Sequence, residues 1–294
     1  MKILIAIGSK RYSKPTLHLG MKVAQAFNAK TTIIDVGEKI SEFSSQLVEL
    51  AQDQMESWDF DQPGVDVLEW AFNYLSDNSL IDSKQIETGF PKNKLIDDGE
   101  DRKLVYLSGT VCEDVNLILR NGDIISELRE EVQYGGYDVT IVGKSQKRNM
   151  FHDLLQYINS SILVVNQYNN EKFTRVLLPV DNSSGTMKAA KYGIRVAIAY
   201  NIGIDILTVM DNNGSNKDGS LKISKVTKLI RRSGINYTHL QEQGNPVEKI
   251  IEKANDDKII VMGASNMSPI KRYFKGSKPL SVMNMCNVPI LIVK

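Results

Sequence analysis

Val176-Leu177-Leu178-Pro179-Val180-Asp181 repeats the pattern of Ile3-Leu4-Ile5-Ala6-Ile7-Gly8, 173 residues earlier in the chain. The same offset, without a gap, pairs Gly20 with Gly193, Val23 with Val196, Ala24 with Ala197, Ala26 with Ala199 and Asn28 with Asn201. It continues through Ile33 with Ile206 and Val36 with Val209. Self-similarity of this kind marks a duplicated structural unit. Each copy opens as strand, loop, amphipathic helix, strand. In the second copy Ala189, Ala190, Gly193, Ile194, Val196, Ala197 and Tyr200 form an apolar stripe at helical period. The strands that follow the helices are Thr31 to Val36 and Ile204 to Val209.

The copies meet again further on. Val139 to Ser145 lies over Ile259 to Ser265 at an offset of 120, and Ile162 to Val165 lies over Ile290 to Val293 at an offset of 128. The first copy has therefore lost eight residues between Gly143 and its last strand. Asn166 to Lys172 is polar and reads as the linker. Strands alternating with helices predict a parallel sheet covered on both faces. The fold class expected is α/β, as two tandem doubly wound five-stranded units over residues 1–168 and 172–294. The first carries an insertion at about residues 37–115. In that insertion Leu47, Leu50, Ala51 and Met55 fit one helix face. Val65, Leu68, Ala71, Phe72 and Leu75 fit another, led by Pro63. Leu95 to Leu107 predicts a short hairpin around Asp97-Asp98-Gly99-Glu100-Asp101, a solvated turn that is also a candidate cation site.

Ligands of doubly wound sheets sit beyond the carboxyl ends of the strands, at the topological switch point. In the second copy Asp181, Val209 and Gly263 end the first, second and fourth strands and are predicted to line one crevice. The run Val261-Met262-Gly263-Ala264-Ser265-Asn266 delivers a buried strand into a small-residue loop. A nine-residue spacer follows, and then Gly276-Ser277. Glycine permits close backbone approach, and free N–H groups in such turns hold oxyanions, so the segment outlines a phosphate cradle.

These residues resemble the universal stress protein family, as a tandem of two UspA-type domains. The family pattern G-x2-G-x9-G-S/T is matched by Gly263, Gly276 and Ser277, and Pro179-Val180-Asp181 matches the family's first-strand end. Val282 and Asn287 to Val293 match its finish. The resemblance implies the adenine nucleotide alpha hydrolase-like fold, a role in stress response, and ATP or a related adenine nucleotide as ligand, with Mg²⁺ accompanying the phosphates. It implies that Asp181 receives adenine, with the Val209 backbone beside it. Gly263 and Asn266 then lie along ribose and phosphates, Gly276 and Ser277 on the phosphate chain, and Pro179, Val180, Met262 and Ser265 complete the binding set. Lys271, Arg272, Lys275 and Lys278 add positive potential. Asn266 departs from the second glycine of the pattern, although asparagine tolerates positive φ. In the first copy Gly8 replaces the aspartate, Gln146 stands at the second-glycine position and the Gly-Ser pair is missing, so that copy reads as non-binding.

Other chemistries are not written here. Neither a P-loop nor a G-x-G-x-x-G follows a strand, and no zinc-type His or Cys spacing occurs. His18, His152 and His239 are isolated. Hydrolysis is expected to be slow at most, since neither a base for water nor an arginine finger is legible. A net charge of +1 speaks against nucleic acid as a partner. The apolar runs are strand-length, which speaks against a membrane span. Cys112 and Cys286 read as reduced core thiols of a cytoplasmic protein. The last strands of the two copies are expected to pair within one chain, and two chains to associate through the insertion. The alternative is a nucleotide-free scaffold in which Asn266 marks a decayed site.

Overall fold

The computed structural model describes residues 1–37, 64–82, 96–97, 102–144, 150–166, 173–181, 183, 185–210, 219–264 and 278–294. In the first half the elements are β1 (Lys2–Ile7), α1 (Lys14–Phe27), β2 (Lys30–Gly37), α2 (Val65–Asp77), β3 (Ile96–Asp97), β4 (Lys103–Ser108), β5 (Asp114–Asn121), α3 (Ile124–Gly135), β6 (Val139–Gly143), α4 (Met150–Tyr157) and β7 (Ser161–Val165). In the second they are β8 (Arg175–Pro179), α5 (Gly185–Tyr200), β9 (Gly203–Met210), α6 (Gly219–Arg232), β10 (Tyr237–Gln243), α7 (Pro246–Ala254), β11 (Lys258–Gly263), α8 (Lys278–Met285) and β12 (Ile290–Val293).

The duplication is visible in these bounds. β2 and β9 sit 173 residues apart at both ends, and α4 and α8 sit 128 apart. The deletion in the first copy therefore falls between β6 and α4. The paired asparagines that close α1 and α5 both take the left-handed conformation, with φ of 44° at Asn28 and 52° at Asn201. A short polar side chain bears that geometry at a helix end better than most residues do.

Among the described residues all strands join one 12-stranded sheet, in the order β10-β9-β8-β11-β12-β7-β6-β1-β2-β5-β4-β3. Within each half the central five strands run parallel, in doubly wound order. The first half is larger than the five strands expected. β4 pairs antiparallel to β5, and β3 antiparallel to β4, so the expected hairpin extends the outer edge. The halves are fused where β12 pairs antiparallel with β7, through Ile290 with Val164, Leu291 with Leu163 and Ile292 with Ile162. These six side chains are at most 1% exposed, so the seam belongs to the core. Asn166 fastens it by donating both Nδ2 hydrogens across, to the carbonyls of Cys286 and Val288.

Successive strand residues point to opposite faces. Ile3, Ile5, Ile33, Val176 and Leu178 face one core, closed by α1, α2, α5 and α6. Leu4, Ile34 and Leu177 face the other, closed by α3, α4, α7 and α8. Burying one such side chain stabilises by about 1.5–3 kcal/mol, and here both faces of the strands are covered. α2 buries Val65, Leu68, Ala71, Phe72 and Leu75, the stripe expected from sequence. The helix expected over Leu47 to Met55, the Pro63 expected to start α2 and most of the acidic turn lie outside the described residues. Both cysteines are free and buried. Among the described residues no helix is long and apolar enough to cross a membrane, and no cluster of side chains is suited to hold a metal ion.

Candidate functional site

Doubly wound order puts the switch point of the second half between β8 and β11, whose following elements leave toward opposite faces. Pro179, Val180, Asp181, Val209, Met262 and Gly263 line one small cavity there, of about 60 Å³. Leu207, Pro246, Ile250 and Lys278 complete its lining among the described residues. Ser265, Asn266, Gly276 and Ser277 lie outside the described residues, as do Lys271, Arg272 and Lys275.

Asp181 stands two residues beyond β8, where the chain turns into α5. The Ser183 N–H donates to Asp181 Oδ1 at 2.9 Å, and Thr186 Oγ1 donates to the same oxygen at 2.9 Å. Thr186 Oγ1 also lies 3.0 Å from the Asp181 carbonyl oxygen. The carboxylate is thus fixed by the first turn of the helix it precedes. Burial pushes its pKa up, but the hydrogen bonds from Ser183 and Thr186 and the charge of Lys278 outweigh that, and the net shift is downward. The group is an ionised, oriented acceptor at neutral pH.

Opposite it, β11 ends on Gly263, which touches α5. A Cβ on Gly263 would stand 2.6 Å from the carbonyl carbon of Gly185, and one on Gly185 would stand 2.9 Å from the Ala264 oxygen. Real Cβ atoms do not approach backbone so closely. The expectation was that glycine at 263 leaves room for a ligand. The structure shows that it leaves room for Gly185, the first residue of α5. Gly185 and Thr186 were not singled out in the sequence, and a repeat comparison carries no signal for a contact of this kind.

The wall of the cavity formed by α7 starts from a good cap. Asn245 Oδ1 accepts from the Val247 N–H at 2.9 Å, with Pro246 in the first turn. Lys278 opens α8 on the other side. The arrangement offers an apolar floor, one carboxylate and one ammonium group.

Two doubly wound units fused through β7 and β12, each with a crevice at its own switch point, define a tandem α/β protein. Residues 172–294 match the model of the universal stress protein family. Universal stress protein MJ0531 of Methanocaldococcus jannaschii is 25% identical over 159 residues, which take in 48% of this chain and 92% of that protein. Among solved structures, a universal stress protein from Archaeoglobus fulgidus DSM 4304 superposes with a TM-score of 0.58 at 15% identity, covering 100% of this chain and 96% of its own. A functionally unknown protein, PA1789, from Pseudomonas aeruginosa PAO1 gives 0.60 at 12% identity, covering 100% and 92%. These likenesses extend over both halves, so the tandem fold is shared.

Proposed function

We propose that the second half binds an adenine nucleotide at the carboxyl ends of β8 and β11, and that this binding regulates conformation or partner choice. The observation that carries the reading is Asp181, ionised and held by Ser183 and Thr186 at the switch point, with Lys278 lining the same cavity. A fixed carboxylate accepts the exocyclic amine of adenine, and the strand-end backbone at Val209 supplies the in-plane partners that distinguish one base from another. The apolar floor from Leu207, Ile250 and Met262 suits an aromatic ring. Gly263, Gly276 and Ser277 follow the family pattern for ribose and phosphate, Ser265 and Asn266 lie within it with Asn266 in place of its second glycine, and Lys278 adds a cation. ATP is the member of this class that the pattern favours. When bound, Mg²⁺ would neutralise charge on its phosphates.

The nucleotide-free scaffold is the competing reading. The Gly263–Gly185 contact supports it, because packing alone accounts for that glycine. Calorimetric titration with ATP and Mg²⁺ decides between them. Binding that Asp181→Ala and Gly276→Val each weaken supports the nucleotide site. No heat at millimolar ATP supports the scaffold.

A further inference from the structure

The larger cavity at a switch point lies in the first half. It occupies about 690 Å³ at the carboxyl ends of β1 and β6, bounded by α3, α4 and the start of α1. That volume falls within the range of about 300–1,000 Å³ typical of small-molecule sites. Nothing in the family pattern assigns it, since that pattern is missing from this copy.

Its chemistry differs from that of the second half. Gly8 stands where Asp181 stands, so the carboxylate is gone. The Gly8 and Ser9 N–H groups both donate to Ser13 Oγ, at 3.0 and 3.1 Å. The loop that would cradle phosphate is therefore satisfied by its own serine, and Pro15 removes a further donor from the first turn of α1. Ile7, Ile124, Leu128, Val142 and Met150 give the lining an apolar side, and Ser9, Ser13, Thr16, Asn166 and Asn287 add neutral polar groups. Lys144, exposed, is the one charged residue among the described lining residues. Its Nζ donates to the Cys286 carbonyl at 3.3 Å, which positions the ammonium group and leaves it further protons to donate.

We infer that this cavity binds a compact apolar molecule carrying a single negative charge, such as an aromatic carboxylate. The apolar body lies against Ile124 and Leu128, and the carboxylate meets Lys144 at the mouth. The Gly8 and Ser9 N–H groups are taken, so they offer no cradle to the phosphates of a nucleotide.

Gly8 supplies the test. A Cβ there meets nothing within 4 Å, and its φ lies outside the region reserved for glycine. Gly8→Leu therefore fills the cavity without straining the backbone. The experiment is calorimetric titration of the full chain with 1-naphthoate and with neutral 1-naphthalenemethanol. The wild type is expected to prefer the acid by about fivefold, the worth of one exposed charge pair. Lys144→Met is expected to abolish that preference while leaving the alcohol's affinity unchanged. Gly8→Leu is expected to weaken both probes at least tenfold at an unchanged melting temperature. Asp181→Ala is expected to alter neither, which separates this site from the nucleotide reading. Failure of either probe to bind the wild type at millimolar concentration overturns the inference. So does equal affinity for acid and alcohol, or full binding by a folded Gly8→Leu variant.

Discussion

Gly263 and Gly185 meet backbone to backbone, with a built Cβ on Gly263 standing 2.6 Å from the Gly185 carbonyl carbon. The contact joins the end of β11 to the start of α5, and α5 carries the Thr186 that orients Asp181. A side chain at position 263 must push that helix away. Gly263→Ala is expected to destabilise the chain by about 1–3 kcal/mol, the usual cost of overpacking a closed contact. It is also expected to weaken nucleotide binding, because the carboxylate moves with the helix. Urea unfolding and an ATP titration of the same sample measure the two effects.

Asp181 is exposed at the rim, so its removal leaves no buried charge unpaired. Asp181→Asn keeps an oxygen for Ser183 and Thr186 and removes the charge. Stability is expected to change by less than about 0.5 kcal/mol, as for most surface substitutions. Nucleotide affinity is expected to fall about tenfold or more, the worth of a hydrogen bond to a charged group.

A separate site of strain lies at Asp35, 3% exposed at the end of β2 against the N-terminus of α2. Its carboxyl is raised to about 7, chiefly by burial and then by Asp66, with a hydrogen bond from Val36 acting the other way. Well below pH 4 the folded and unfolded chains both hold this proton. Between about pH 4 and 7 only the folded chain holds it, so stability falls as pH rises. Above that range the penalty is constant, and amounts to at most about 4 kcal/mol. Asp35→Asn is expected to flatten this slope and to raise stability at pH 8 by up to that amount. Denaturant midpoints at pH 4.5, 6 and 8 check it.

Glu131, 0% exposed, ties the outer strands of the first half to α3. It accepts from Arg102 Nε at 2.9 Å, from Arg120 Nη1 at 3.3 Å and from the Tyr137 hydroxyl at 2.9 Å. Arg120 keeps Glu127 and Glu130 as further partners. Glu131→Gln removes the buried negative charge that Arg102, Arg120 and Tyr137 share. The expected loss is about 3 kcal/mol, typical of breaking a buried pair, and a thermal melt reads it.

What the sequence made legible follows the repeat. One offset matched β2 to β9 end to end and paired Asn28 with Asn201, which the structure shows to be left-handed helix ends, a feature written locally. It also brought Pro179, Val180, Asp181, Val209, Met262 and Gly263 to one place, because strand order in a doubly wound sheet fixes which ends meet. β10 was not legible. Tyr237 to Gln243 is an edge strand with no fully buried residue and few apolar side chains. β5 begins where the insertion ends and carries no repeat match, although Val115, Leu117, Ile118 and Leu119 are all buried. The cavity beside Gly8 was missed for another reason. A missing motif reads as a missing site, yet the fold leaves space at the switch point whatever the loop sequence.

The nucleotide assignment is tested most directly by hydrogen exchange of the full chain, followed by mass spectrometry, with and without saturating ATP and Mg²⁺. The account predicts slowed exchange in peptides covering Pro179 to Thr186 and Met262 to Ala264, with no change over Ala6 to Thr16. Protection confined to the first half, or none at millimolar ATP, would contradict it.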